Sequence, residues 1–399
     1  MRRKFWTVVA LSAVVAFAAV NVVNAWSATV IPVNCSPAPD ATGVVCRAWS
    51  VAPQSDGSTL IDITLNTPAI VHAPNAILQS SPAEPAVPVH VEVYLPPNYQ
   101  PTGAAYPAVY LLHGGGATYQ EWSDPAKGSI VTTLQGTAFH GIAVMPEGGL
   151  AGWYTDWAGR TDGSFAPGWE TFHTKQLIPW IDAHFNTVKD RSGRAIAGVS
   201  MGGFGALKYA ADHPELFSAV GSFSGGTDLR TDVARSIISD SMWQAGAATA
   251  LAGLTDGNFR VNLHASDGSI LNDQIAQTAY RLDTLFGTPI TGPSGPPDWP
   301  ASDPIDRATA GAYQAYSTKL AMYVGGCSSQ QPNMTQTTAA GSTNSAGCLP
   351  SPLSGEKDAR LAQQNFDFDK ALTTSGVVHR FCTGTGTHSW PFWQTDMVD

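Results

Sequence analysis

Short apolar runs alternate with longer amphipathic stretches along most of the chain. Val89, Val91, Val93 and Leu95 alternate with polar or partly polar neighbours, the period of a half-buried strand. Continuous apolar runs of strand length follow at 108–112, 141–145, 195–199, 219–223, 320–324 and 377–381. Helix-like segments separate several of them. Residues 169–183 place Phe172, Leu177, Trp180 and Ile181 near one face, and a second segment, 204–211, is stopped by His213-Pro214. Short buried strands alternating with helices predict an α/β fold with a mostly parallel central sheet and helices on both faces.

The rhythm breaks in three places. Residues 26–86 are β-prone and loop-rich and end in a Pro/Ala stretch, so they read as an N-terminal extension to a main α/β domain at 87–399. Residues 228–311, an excursion after the strand at 219–223, and 327–354, a polar low-complexity stretch, read as insertions. Each follows a strand, where excursions often cover or rim a site.

Composition narrows the class. The chain of 399 residues is 43% hydrophobic and only 13% charged, which excludes a disordered or coiled-coil protein. The net charge of −10, with no basic run beyond the N-terminus, excludes nucleic acid as a partner, because phosphate contacts need clustered Lys and Arg. Arg2, Arg3 and Lys4 precede an apolar run from Phe5 to Val23, and Val23-Asn24-Ala25 ends it with small residues. Residues 1–25 therefore read as a signal peptide cleaved after Ala25, with an uncleaved membrane anchor as the alternative. Both place the body outside the cytoplasm, secreted or at the cell envelope. Five cysteines fit export: neighbours in sequence pair as Cys35–Cys46 and Cys327–Cys348 and leave Cys382 alone. No cysteine spacing suggests a zinc site, and neither a metal nor a cofactor is expected.

The chemistry centres on Gly198-Val199-Ser200-Met201-Gly202, which follows an apolar strand and opens a helix. That context gives a G-x-S-x-G match its meaning: a strand turning directly into a helix strains the central residue and requires small neighbours. Ser200 is the candidate nucleophile. The run His113-Gly114-Gly115-Gly116 follows the strand at 108–112, and a glycine turn there brings backbone N–H groups close to a carbonyl oxygen. Gly115 and Met201 are the expected oxyanion donors. His113 reads as a structural or substrate-facing residue, and Gly114, Trp157 and Trp390 as further substrate contacts. Of the histidines after Ser200, His213 reads as a helix cap, His264 lies in the excursion and His379 lies inside a strand. His388, in a loop just past the last strand, is the expected base. The acid is open between Glu356 and Asp358, the first carboxylates after the second insertion, while Asp367 and Asp369 look like ordinary helix-face charges.

These blocks resemble, in one order, the esterase D-like branch of the α/β-hydrolases, which includes the secreted mycolyltransferases of antigen-85 type. The likeness runs through Tyr110-Leu111-Leu112-His113-Gly114, Tyr154-Thr155-Asp156-Trp157, Trp169-Glu170-Thr171-Phe172, the Ser200 elbow, Leu285-Phe286-Gly287 with Asp303-Pro304, and Thr387-His388-Ser389-Trp390. It covers about three quarters of the chain. The resemblance implies Ser200 as nucleophile, His388 as general base, Met201 and Gly115 as oxyanion donors, and an acid near 356–358. Where the mycolyltransferases typically carry Asp, Arg and Ala, this chain has His113, Gly116 and Gly202. The chain ends eleven residues after His388, so the final helix is expected short or missing.

The leading expectation is a serine carboxylic-ester hydrolase or acyltransferase acting through an acyl-enzyme on an ester or acyl-glycolipid, with an envelope association and no obligate protein partner. A trehalose-dependent mycolyltransferase is the nearest alternative. A peptidase or amidase would use the same triad, and a non-catalytic envelope-binding protein on a hydrolase scaffold is the alternative from another class.

Overall fold

The computed structural model describes residues 35, 38–71, 86–157, 167–231, 234, 237–238, 301–325, 334–338, 357–383 and 387–397; for 71, 86–87, 334–338 and 357–360 it describes the backbone. Ten strands form one sheet in the order β1-β2-β3-β5-β4-β6-β7-β8-β10-β9. They are β1 (Val45–Pro53), β2 (Thr59–Val71), β3 (Ala86–Leu95), β4 (Ala108–Leu112), β5 (Ile142–Pro146), β6 (Arg194–Val199), β7 (Ala219–Phe223), β8 (Leu320–Val324), β9 (Met334–Thr338) and β10 (His379–Thr383). From β5 through β10 the six central strands are parallel, and antiparallel strands flank them on both sides.

The alternation read at 89–95 holds residue by residue. Val89, Val91 and Val93 of β3 sit opposite Leu65, Ile63 and Ile61 of β2, and all six are fully buried. Asp62, Thr64, His90 and Glu92 occupy the other face of the same ladder. The segment 26–86, set apart above as an extension, thus supplies β1 and β2 to the same sheet. Asp56-Gly57-Ser58 turns the β1–β2 hairpin, with Gly57 at φ +86° and Ser58 N–H donating to the Asp56 carboxylate.

The helices are α1 (Ile130–Gln135), α2 (Trp169–Thr171) running through a π-helical stretch (Phe172–Leu177) into α3 (Ile178–His184), α4 (Met201–Asp212), α5 (Pro304–Thr309), α6 (Lys357–Thr374) and α7 (Trp390–Met397). Every residue of α4 from Met201 to Ala211 is buried. Two expectations shift. The last strand starts at His379 and not at 377, because Val377 N–H still closes the end of α6 on Leu372 O, with Gly376 at φ +77°. Asp369 is not an ordinary helix-face charge: it is buried and accepts a 2.8 Å hydrogen bond from His379 Nε2, whereas Asp367 is exposed as expected.

The chain passes from β4 to β5 on one side and then to β6 on the other. That reversal opens a crevice beyond the carboxyl ends of β4 and β6, the usual ligand position in open α/β sheets. Ser200 and the glycine run 114–116 both emerge there.

Candidate active site

Ser200 sits between β6 and α4 at φ +57°, ψ −119°, a conformation that costs on the order of 1–3 kcal/mol for a residue with a side chain. The surrounding glycines explain how it is held. A Cβ at Gly198 would collide with the Gly202 backbone, and one at Gly202 with the carbonyls of Leu112 and His113. Helix α4 can therefore start immediately after the strand and lie against the root of the 113–117 loop. Ser200 N–H donates to Phe223 O at 2.8 Å, which ties the strained residue to β7.

His388 Nε2 lies 2.8 Å from Ser200 Oγ. The sequence places these two residues 188 positions apart, and the fold brings them into one hydrogen bond. His388 packs edge-on against Trp393 of α7, with ring centroids 5.0 Å apart. Trp393 Nε1–H donates to Ser224 Oγ at 3.0 Å, and Ser224 stands at φ +52° just beyond β7.

Of the expected oxyanion donors, Met201 is the first residue of α4, whose opening N–H groups have no partner within the helix. Gly115 lies in the neighbouring loop. A Cβ built on Gly114 would stand 3.3 Å from Ser200 Cβ and 3.9 Å from its Oγ, so that loop lies directly against the serine.

Two expected substrate contacts turn out to be interior. His113 is fully buried. Its Nδ1–H donates to Gly114 O at 2.8 Å, and its Nε2 lies 2.8 Å from Gly148 N and 3.2 Å from Glu147 Oε1. Burial works against an imidazolium there, the Glu147 carboxylate favours it, and the net displacement of the His113 pKa is upward. Trp390 belongs to the apolar core with Trp122 and Trp393, and its Nε1–H reaches Glu121 Oε2 at 3.2 Å. Trp157 remains partly exposed and donates to Gly152 O at 3.1 Å.

Most of the crevice lining was not read from the sequence. Beside Trp153 and the expected oxyanion donor Met201, Ser224, Gly226, Leu229, Ala234, Ile237, Ile238 and Leu361 surround a narrow space that opens on Ser200. Ser224 and Gly226 follow the carboxyl end of β7, so their position past a strand was the available signal.

For the acid, Asp358 falls in the first turn of α6, where the backbone alone is described, and Glu356 lies outside the described residues. Cys327 and Cys348 lie outside them as well. Cys35 and Cys46 form a disulfide, and Cys382 is buried.

A doubly wound parallel sheet carrying a strained serine elbow within hydrogen-bond reach of a C-terminal histidine defines an α/β-hydrolase fold. The family model described as "Putative esterase" matches residues 83–399, and the chain belongs to that esterase family of enzymes. Esterase Rv1288 of Mycobacterium tuberculosis is 46% identical over 142 residues, 36% of this chain and 30% of that protein. The chain thus spans less than a third of that relative's length. Diacylglycerol acyltransferase/mycolyltransferase Ag85A of Mycobacterium leprae is 29% identical over 355 residues, 83% of this chain and 88% of that protein. Among solved structures, an S-formylglutathione hydrolase from Agrobacterium tumefaciens shares the fold, with a TM-score of 0.51 at 16% identity over 89% of this chain and 96% of that one.

Proposed function

We propose that this protein is an extracytoplasmic serine ester hydrolase or acyltransferase. In the proposed reaction Ser200 Oγ attacks an ester carbonyl while His388 Nε2 takes its proton. The N–H groups of Met201 and Gly115 receive the oxyanion, and His388 returns the proton to the departing alcohol. Water or a second alcohol then resolves the acyl-enzyme. Either Glu356 or Asp358 orients His388. The observation that carries the reading is the 2.8 Å contact between His388 Nε2 and the Oγ of a serine at φ +57°.

The acyl group is assigned to the space lined by Trp153, Leu229, Ile238 and Leu361. That space is narrow, with little free room between its walls. Its narrowness favours a short acyl group over a very long lipid chain. His113 and Gly116, in place of the Asp and Arg that the mycolyltransferases typically carry, favour the same conclusion against a trehalose acceptor. The likeness over 83% of the chain to a protein named as a mycolyltransferase keeps acyl transfer in the reading. An extracytoplasmic location is supported by the basic-then-apolar N-terminal run and by the Cys35–Cys46 disulfide.

The test is acyl-donor profiling with p-nitrophenyl esters of increasing chain length, with and without trehalose, products read by mass spectrometry. Short esters should turn over fastest, trehalose should add no acylated product, and Ser200→Ala should abolish turnover. Undiminished turnover by Ser200→Ala would remove the assignment.

A further inference from the structure

We infer that His113 is a positioning residue for the oxyanion hole: its Nδ1–H grips the carbonyl of Gly114 and so fixes the peptide unit whose N–H, that of Gly115, is the proposed donor. The inference rests on the reading of Ser200 as the nucleophile and goes beyond it.

The argument starts from one peptide plane. In a trans peptide the C=O of residue 114 and the N–H of residue 115 belong to the same rigid unit and point in opposite directions. No cis peptide occurs among the described residues. Gly114 O is held by the His113 ring at 2.8 Å and by Ala117 N–H at 3.3 Å. With that oxygen committed to the interior, the N–H of Gly115 is turned the other way. Gly114 itself lies against Ser200, close enough that a Cβ on it would stand 3.3 Å from Ser200 Cβ.

An anchor is needed because glycine sits on both sides of this peptide. Glycine takes positive and negative φ almost equally, so rotating the 114–115 unit costs little by itself. A rotated unit would aim a carbonyl oxygen, and not an N–H, at developing negative charge. His113 removes that freedom, and a hydrogen bond to the carbonyl also polarises the amide and strengthens its N–H as a donor.

The proton on Nδ1 is secure whatever happens on the far side of the ring. A carbonyl oxygen only accepts, so Nδ1 must donate to Gly114 O. Nε2 then either accepts from Gly148 N–H at 2.8 Å or donates to Glu147 Oε1 at 3.2 Å. Both partners belong to the loop after β5, whose Gly149 N–H donates to the same Glu147 carboxylate at 3.0 Å. Tyr154 Oη–H donates to His113 O at 2.9 Å and fixes the preceding peptide. The imidazole is thus a rigid spacer between two loops at the carboxyl edge of the sheet.

Asn and Gln separate the two ends of the ring. The Asn amide nitrogen stands near the Nδ1 position and keeps the grip on Gly114 O; the Gln amide reaches the Nε2 position and keeps only the Gly148 side. Kinetics on p-nitrophenyl acetate, with thermal midpoints, would be measured for the wild type, His113→Asn, His113→Gln and His113→Leu. We expect His113→Gln and His113→Leu to lose about 10–100-fold in kcat with KM changed less than about threefold, the signature of an interaction made in the transition state. His113→Asn should stay within about fivefold of wild type even if it is no more stable than His113→Gln. Equal loss in Asn and Gln variants, or loss that tracks the thermal midpoint, overturns the inference. If His113→Leu does not fold, the Asn and Gln pair decides. A wild type inactive on the ester and unlabelled by a fluorophosphonate refutes the reading of Ser200 itself, and the inference falls with it.

Discussion

At the residue scale, the site is a set of backbone constraints that hold the Ser200 and His388 side chains 2.8 Å apart. Ser200 was legible because its requirements are local: a strained turn needs Gly198 and Gly202, and both are written beside it. The place of His388 beside Ser200 was legible because its loop follows the last strand. His113 was left between a structural and a substrate-facing role because a histidine leading a glycine run looks like a loop residue, and the fold closes the Glu147–Tyr154 layer over it. The acid stayed open for a related reason: a long polar stretch separates β8 from α6, and two carboxylates two residues apart fit the same distance from the final strand. Amide variants separate them. Glu356→Gln and Asp358→Asn keep size and remove charge. The one that orients His388 should lose roughly 10³–10⁴ in kcat by analogy with other triads, and the other should stay within tenfold. Comparable, modest losses in both would mean that neither carboxylate is the acid.

At the element scale, the block Trp169-Glu170-Thr171-Phe172 acquires a physical account. Trp169 and Phe172 are fully buried, and Glu170 reaches across to α4. Its carboxylate meets Lys208 Nζ and accepts from His213 Nε2 at 2.8 Å; Lys208 also donates to Asp212 at 2.8 Å. The helix that starts at Ser200 is therefore clamped at its far end to the α2–α3 run. Burial by itself raises the Glu170 pKa, but His213 and Lys208 more than reverse it and hold the carboxyl down at about 2. A depressed carboxyl stabilises the folded state above its unfolded value, and that contribution disappears as pH falls from about 4.5 toward 2. Glu170→Gln should cost on the order of 2–3 kcal/mol at neutral pH and flatten the acid limb of the stability curve in that window. Denaturant melts between pH 7 and pH 3 measure this, and an unchanged acid limb would contradict it. The six parallel strands were read to within two residues, since short parallel strands are continuous apolar runs, whereas β1, β2 and β9 were not read. The buried Asp369–His379 pair was not, because a charge on a helix declares its burial only through the strand packed on it.

At the scale of the whole molecule, the sheet reaches further toward the N-terminus than the sequence pattern suggested. β1 and β2 continue the β3 edge, and the turn between Cys35 and Cys46 is closed by a disulfide with a separation of 11 residues. Closing so short a loop stabilises the fold by about 2–3 kcal/mol in the chain-entropy account. Reduction, or Cys35→Ser, should lower the thermal midpoint by a few degrees and leave kcat on short esters unchanged, because the bond lies on the edge away from β6 and β10; a midpoint indifferent to reduction would argue against it. The alternating pattern lets β2 and β3 pair, but nothing local in 26–86 said that its strands would join the central sheet rather than stand apart. Leu229, Ala234 and Ile238, which follow β7, stand on the wall of the crevice beside Ser200. The central claim, that Ser200 is activated by His388, is tested most directly by labelling the full-length protein with a fluorophosphonate and mapping the adduct by peptide mass spectrometry. A single adduct on Ser200, absent in Ser200→Ala and formed far more slowly in His388→Ala, is the predicted result. An adduct elsewhere, or labelling of Ser200 at the wild-type rate without His388, would contradict it.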